Sequence, residues 1–506
     1  MAKIPSKSIS LPAPVGGWDT ENALADMPIE NAVILDNWFP GTDKVTLRRG
    51  HTEWASGMTG NVDTLLEYSP PSGSAKLFAV NSGDVYDITS TGAVGSAVVS
   101  GLNSDQMQQV QIGTAGGHFL IAVNGNDTPI TYNGSSWSTA SISGPTSSNL
   151  IWCNLHQRRL WFGEKDSMTA WYLPVNSISG TASYFSMAAL ASLGGYIMAM
   201  GTWTRDGGAG TDDVAVFLTS EGEAIVYQGT DPSSADTWSL VGVFRIGRPI
   251  GRRCMIKAGA DLIMVTQDGF VTASSILSID RSQARKVALS SQINKAVNDA
   301  QRTYSSSYGW QPIIYPKAAM LMVNIPQGST TYHQYVFNTI TGAPCRFTGL
   351  NARCWGLKGE NIFFGGIDGK VYQFDTVGGD NGSNINGDAL QAFSYFRSPG
   401  SNKAFKLVEP IFQSDGNPNA AIDLYTDFTV SPPTSDPTPS ASTNAAKWGV
   451  SKWGSGTWGA DDQIYRGWRG IRGRGRSAAL RVRVASQTAR PSWVSTNLTY
   501  IPGGQL

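Results

Sequence analysis

The sequence predicts an all-β chain: a β-propeller of six or seven blades over residues 51–390, an N-terminal arm over 1–50, and a β-sandwich-like platform domain over 391–506. Three observations carry this reading. Gly (57) and Pro (25) are abundant among the 506 residues while only 15% are charged, against about 25% in an ordinary globular domain, which suits many short strands joined by tight turns. An apolar hairpin with a Gly-, Asp- or Asn-rich turn recurs along the chain. The length also exceeds the roughly 250 to 300 residues at which one core stops growing unless the architecture is a repeat.

The opening stretch, LPAPVGGWDTENALADMPIENAVILDNWFPG, is turn-rich and reads as an arm with a short helix near Glu30 to Asn37. The first hairpin is LFAVNSGDVYDI (Leu77 to Ile88), and its grammar returns six times, ending with NIFFGGIDGKVYQFD (Asn361 to Asp375). The turn centres Gly83, Gly125, Lys165, Gly222, Gly269, Gln327 and Gly369 lie 40 to 58 residues apart, close to the roughly 40 to 50 residues of propeller blades. One small sheet exposes two apolar faces, so a radial array in which each blade buries its neighbours is the stable solution. Unrelated hairpins of one large sandwich are the alternative.

The polar stretch GGDNGSNINGD then marks a boundary. Beyond it, FKLVEPIFQ (Phe405 to Gln413), AIDLYTDFTV (Ala421 to Val430), LRVRVAS and TNLTYIPGG read as strands, separated by a Pro/Ser/Thr loop and by KWGVSKWGSGTWG. Alternation over Leu480 to Val484 places Arg481 and Arg483 on one face and the aliphatic residues on the other.

Composition excludes several classes. Lys+Arg (38) balance Asp+Glu (38), so the chain as a whole is no basic nucleic-acid wrapper. Cys153, Cys254, Cys345 and Cys354 lack CxxC spacing and read as buried free thiols of a reducing compartment. No apolar segment follows Lys3 and Lys7 as a secretory signal would require, and the uncharged stretch Phe185 to Trp203 is broken by Gly and Ser, so no membrane span is expected.

No cofactor, metal or catalytic set is expected. His51, His118, His156 and His333 fall in different repeats, without metal spacing or a nucleophile elbow. Asp84, Asp268 and Asp368 stand beside Gly in hairpin turns, where Asp bonds its own backbone, although propellers also host carboxylate pairs that cleave sugars. Gly382 to Gly387 hints at a calcium loop, but Gly stands where the first carboxylate belongs, and a linker is the better reading.

The stretch GGWDTENALADMPIENAVILDNWFPGTDKVTLRRG, with Asn37-Trp38-Phe39-Pro40 followed by Leu47-Arg48-Arg49-Gly50, resembles the opening of tail hub, nozzle or packaged-DNA stabilization proteins of short-tailed double-stranded DNA bacteriophages. LHQRRLWFGEKDSMTAWYLP, RIGRPIGRRCMIKAGADLIMVTQDGF and RGWRGIRGRGRSAALRVRVAS follow in similar order, whereas Trp448 to Trp458 matches nothing in that family. The resemblance implies a non-enzymatic virion protein, assembled in the host cytoplasm as a homohexameric ring beneath the portal and adaptor proteins. Such a ring continues the DNA channel, touches passing double-stranded DNA without sequence preference, and supports tail fibres or tailspikes. Trp38, Phe39, Pro40, Arg48 and Arg49 become candidates for docking the adaptor. A different class, a propeller that binds or cleaves glycans using Trp161, Trp171 and Trp203 as platforms, remains as the alternative.

The densest charge is Arg466, Arg469, Arg472, Arg474, Arg476, Arg481, Arg483 and Arg490, with no Asp or Glu between Tyr465 and Arg490. These arginines either line the channel as loose phosphate contacts or pair with carboxylates of a neighbouring subunit or adaptor, the second being favoured because an attractive lumen impedes ejection. Arg245, Arg248, Arg252 and Arg253 read as a solvated loop between blades.

Overall fold

Every one of the seven turn centres joins the second and third strands of an antiparallel set of three or four strands, the sixth set being part of a nine-stranded sheet. The computed structural model describes residues 6–206, 211–276, 280–440 and 463–505, and about 51% of the chain is strand against 6% helix. The sheets form in sequence order, each opening on its first strand: Thr64–Tyr68, Gln108–Thr114, Leu150–His156, Ile197–Asp206, Met255–Ala258, Gln311–Tyr315 and Cys354–Lys358. Each of these first strands from the second sheet onward touches the first strand of the following sheet. The seventh touches the first, and the first reaches the second strand of the second sheet, so the array closes on itself. The fold is therefore all-β and propeller-like.

Closure ties distant parts of the chain together by backbone hydrogen bonds. The outer strand of the seventh sheet is Gly50–Ser56, which pairs antiparallel with Val371–Thr376, with Thr52 opposite Gln373 and His51 opposite Phe374. One sheet thus joins chain segments more than 300 residues apart, and its burial couples the start of the array to its end.

Apolar alternation supplies the glue between sheets. Leu66, Phe78 and Val80 of the first sheet pack on Leu120, Ala122 and Tyr132 of the second, and Ile121 and Val123 of the second meet Leu160 and Phe162 of the third. Between the third and fourth sheets, Trp161 stacks on Trp238 at 5.6 Å and meets Phe217 edge-on at the same centroid distance. Gly163 is required beside this cluster, because a Cβ there would lie 1.9 Å from Trp152 Nε1.

The first fifty residues are not a separate arm. Lys7–Pro12 pairs with Ser492–Gln505, and Trp38–Pro40 and Val45–Leu47 extend the same sheet, which also holds Ser401–Ser414, Gln463–Tyr465 and Arg469–Gly475. Residues Glu30 to Asn37 form no helix: Asn31–Asp36 is a strand pairing Ile385–Gln391, since Ala32 and Leu35 must be buried and tertiary pairing overrides local preference. That strand also bridges Pro344–Phe347 of the sixth sheet, so Ile385–Gln391, Ala478–Ser486 and Ala421–Thr426 continue it outward. The extension and the sheet of Lys7–Pro12 and Ser492–Gln505 enclose Leu11, Phe405, Val408, Leu480, Leu498 and Tyr500 as a sandwich core. The platform thus begins near residue 385 and contains the N-terminal strands.

Phe185 to Trp203 contains the end of strand Ser183–Ser186, a turn, and the start of Ile197–Asp206. No helix among the described residues is long and apolar enough to cross a membrane. The Trp448 to Trp458 segment lies outside the described residues.

Candidate functional site

The seven first strands surround an axial cavity of about 720 Å³, lined by Glu67, Gln109, Asn154, His156, Arg253 and Gln311 among others. Strands facing an axis cannot pair edge to edge all round, so side chains cross between them. The amide N–H of Glu67 donates to Gln109 Oε1 (2.7 Å), and that of Leu357 donates to Glu67 Oε1 (2.5 Å). Asn154 Nδ2 donates to the Met200 carbonyl (2.7 Å), and Gln311 exchanges two bonds of 3.0 Å with the backbone of Trp355. Lys257 Nζ donates to Thr204 Oγ1 (3.0 Å), joining the fifth sheet to the fourth.

Arg253 closes the axis. Its guanidinium donates to Thr64 Oγ1 (2.6 Å), to the carbonyls of Asp63 (3.2 Å) and Met107 (3.1 Å), and to Gln311 Oε1 (3.4 Å). Arg253 and Arg353 lie over the Tyr308 ring, each 5.3 Å from its centroid, while Arg353 binds Asp63 at 2.5 Å and Tyr308 Oη donates to the Asp63 carbonyl. A second cavity of about 300 Å³ shares Gln108, Arg252 and Arg253 with the first, so these arginines stand between two chambers. Arg252 and Arg253 are therefore not part of the solvated loop expected from sequence, whereas Arg245 and Arg248 are exposed, Arg248 pairing with Glu221.

Two groups lining the main cavity have displaced protonation. Desolvation raises the Glu67 carboxyl to about 7 against the opposing hydrogen bond from Leu357. Desolvation likewise lowers His156 to about 4. Its Nδ1 lies 3.2 Å from Thr202 Oγ1. Sequence reasoning missed Glu67 and Arg253 as axial groups. The visible signals were a lone acid inside the apolar run TLLEY and a paired arginine leading into CMI.

The adaptor-docking candidates divide by burial. Trp38 is fully buried beside Trp493, Pro40 is buried, and Phe39 packs on Phe347. Arg48 is 2% exposed, and its guanidinium donates to both Asp380 oxygens (2.7 and 2.6 Å), Asn37 Oδ1 (2.8 Å) and the Thr348 carbonyl (2.9 Å). His51 completes this cluster at 3.2 Å from Asp380. Burial would raise the Asp380 carboxyl, but the His51 and Arg48 bonds hold it below its ordinary value. The motif thus builds the seam between the sandwich and the seventh sheet, and only Arg49, 3.8 Å from Asp375, is exposed.

The arginine-rich segment also divides. Arg481 binds Asp388 through two bonds (2.8 and 2.5 Å), and Arg483 meets Asp436 and Asp423 at 3.2 and 3.7 Å. Both are therefore neutralised inside the chain, which corrects their reading as channel or assembly groups. Arg469 reaches the Ala420 carbonyl while remaining exposed. Arg466, Arg472, Arg474 and Arg476 are exposed, and none forms an ion pair with a carboxylate among the described residues.

The remaining candidates are structural in their contacts. Asp268 binds Arg281 (2.7 Å), and Asp368 accepts from Tyr372 Oη (2.6 Å). Trp161 is fully buried and presents no face for a sugar, and Trp171 and Trp203 are half-buried. The four cysteines are free. Among the described residues no group of three or more His, Cys, Asp or Glu is placed to hold a metal ion.

No protein-family model matches the chain, and no curated protein matches it. Solved structures match at low similarity. The structure of BBS1N in complex with ARL6DN aligns with 8% identity over 65% of this chain and 97% of its own, at a TM-score of 0.41. Raptor of Chaetomium thermophilum aligns with 10% identity over 68% of this chain and 29% of its own, at a TM-score of 0.37. The match therefore spans less than a third of Raptor's length.

Proposed function

We propose that the chain is a non-enzymatic structural protein of a short-tailed phage virion, forming an oligomeric nozzle or hub ring, read as a hexamer, below the portal and adaptor. There it retains packaged DNA, guides its ejection and supports fibres or tailspikes. Its seven small sheets are the blades of one seven-bladed propeller, closed by Gly50–Ser56. The observation that carries the reading is the run of exposed arginines from Arg466 to Arg476 around strand Arg469–Gly475, on a sandwich that shares a continuous sheet with the propeller. A charged surface with no carboxylate partner among the described residues is what an assembly part reserves for a neighbour.

The resemblance of the Asn37–Pro40 and Leu47–Gly50 motifs to tail hub proteins supports the same reading, with one change. These residues act by locking sandwich to propeller through Arg48 and Asp380 rather than by touching an adaptor. Light scattering and negative-stain imaging of the protein alone and mixed with portal–adaptor complexes test the proposal. A ring in either sample is expected; a persistent monomer that binds neither overturns it.

A further inference from the structure

Strand Arg469–Gly475 pairs on one side with Ser401–Ser414, Gly473 standing opposite Phe405 and Arg474 opposite Ala404. Among the described residues no strand pairs with its other side. Ile471, Gly473 and Gly475 point inward, and a Cβ on Gly473 or Gly475 would strike Leu424 or Thr426 of the opposing sheet. Arg472 and Arg474 therefore point outward. Two large exposed apolar side chains stand just ahead of this basic row, Ile464 at 71% exposure and Trp468 at 47%. A cavity of about 410 Å³ opens beside Arg469, Gly470 and Ile471, and nothing lies within 4 Å of where Cβ atoms on Gly467 and Gly470 would stand.

The same molecule shows what completes an arginine-bearing strand. Ala478–Ser486 carries Arg481 and Arg483 and is flanked by Ile385–Gln391, which supplies Asp388, and by Ala421–Thr426, which supplies Asp423. Pro344–Phe347 carries Arg346, whose guanidinium binds both oxygens of Asp36 on the adjoining Asn31–Asp36 strand. In each case an adjacent strand brings the carboxylate. Among the described residues, Arg469–Gly475 has the arginines and an open side but no such neighbour.

We propose that this edge accepts an extended acidic segment of a partner protein as an added β-strand. Backbone pairing along this edge would supply affinity, Asp or Glu at alternate positions would meet Arg472 and Arg474, and Trp468 and Ile464 would anchor the end nearest Arg469. Glycines at 467 and 470 leave room for close approach. The inference deepens the assembly reading by naming the partner's chemistry and rests on it.

The test uses the full-length protein and a labelled twelve-residue peptide alternating Asp with Val and Thr, read by fluorescence anisotropy. Binding is expected, weakened about tenfold or more by R472S/R474S. It should also weaken when Asn replaces Asp, and when alternate peptide amides are N-methylated so that charge stays but pairing is lost. No binding, equal binding of the N-methylated peptide, or tighter binding of a DNA duplex that displaces the peptide each overturns the proposal, the last in favour of a phosphate surface. Melting curves of R472S/R474S matching the parent exclude misfolding as the cause of lost binding. Ring formation is scored on the same samples: rings without peptide binding sink this inference alone, whereas absence of rings sinks the reading beneath it.

Discussion

At the scale of single residues, buried charge decides most of what is testable. Glu67 binds its proton more tightly in the folded chain, its carboxyl being raised from about 4.5 to about 7. Between those values the folded state holds more protons than the unfolded state, so this group's contribution to stability falls as pH rises through the window. His156, lowered from about 6.5 to about 4, acts in the opposite sense, its contribution being lost as pH falls through that range. Glu67→Gln keeps an acceptor for Leu357 and should flatten the decline between about pH 4.5 and 7 and melt higher than the parent at pH 8. Calorimetry at several pH values checks this, and an unchanged slope would show that Glu67 does not titrate there. Arg48→Ala leaves Asp380 buried without its main partner and should destabilise by about 3–5 kcal/mol in urea denaturation. Arg48→Lys should recover only part, because a point charge cannot make the two-pronged contact.

At the scale of elements, the hairpins were legible because Gly and Asp turns between apolar runs report local chemistry, and all seven turn centres join real strand pairs. What lay beyond reach was non-local. Nothing in GHTEWAS announces that Gly50–Ser56 will close the seventh sheet against Val371–Thr376, and nothing in NAVILD shows the distant strand that makes it extended. The arginines of Ala478–Ser486 and those of Arg469–Gly475 look alike in sequence. Only the neighbouring strands, one pair bearing Asp388 and Asp423, separate the neutralised Arg481 and Arg483 from Arg472 and Arg474, which meet no carboxylate among the described residues. The closing strand has a direct consequence. Deleting residues 1–56 should abolish cooperative unfolding and expose the array to limited proteolysis, whereas removal of a mere arm would leave both unchanged. Trp161→Ala should cost about 3–5 kcal/mol in chemical denaturation, since Trp161 holds the third and fourth sheets together by stacking on Trp238 and meeting Phe217.

At the scale of the whole molecule, two bodies share one continuous sheet. Strands Gln311–Tyr315 through Pro344–Phe347 belong to the closed array, and the sheet passes through Asn31–Asp36 into the sandwich. The Arg48–Asp380 pair braces the same junction. With Arg253 tying the first, second and sixth sheets across the axis, the protomer's own axial cavity is divided, so a DNA conduit would have to form between protomers. The exposed arginine strand on the sandwich is the surface such an assembly would use. The most direct measurement is the mass of the protein, alone and mixed with portal–adaptor complexes, by light scattering with imaging of the same samples. A closed ring, formed alone or on the adaptor, is the predicted result; a monomer that stays monomeric with both partners present would contradict the account.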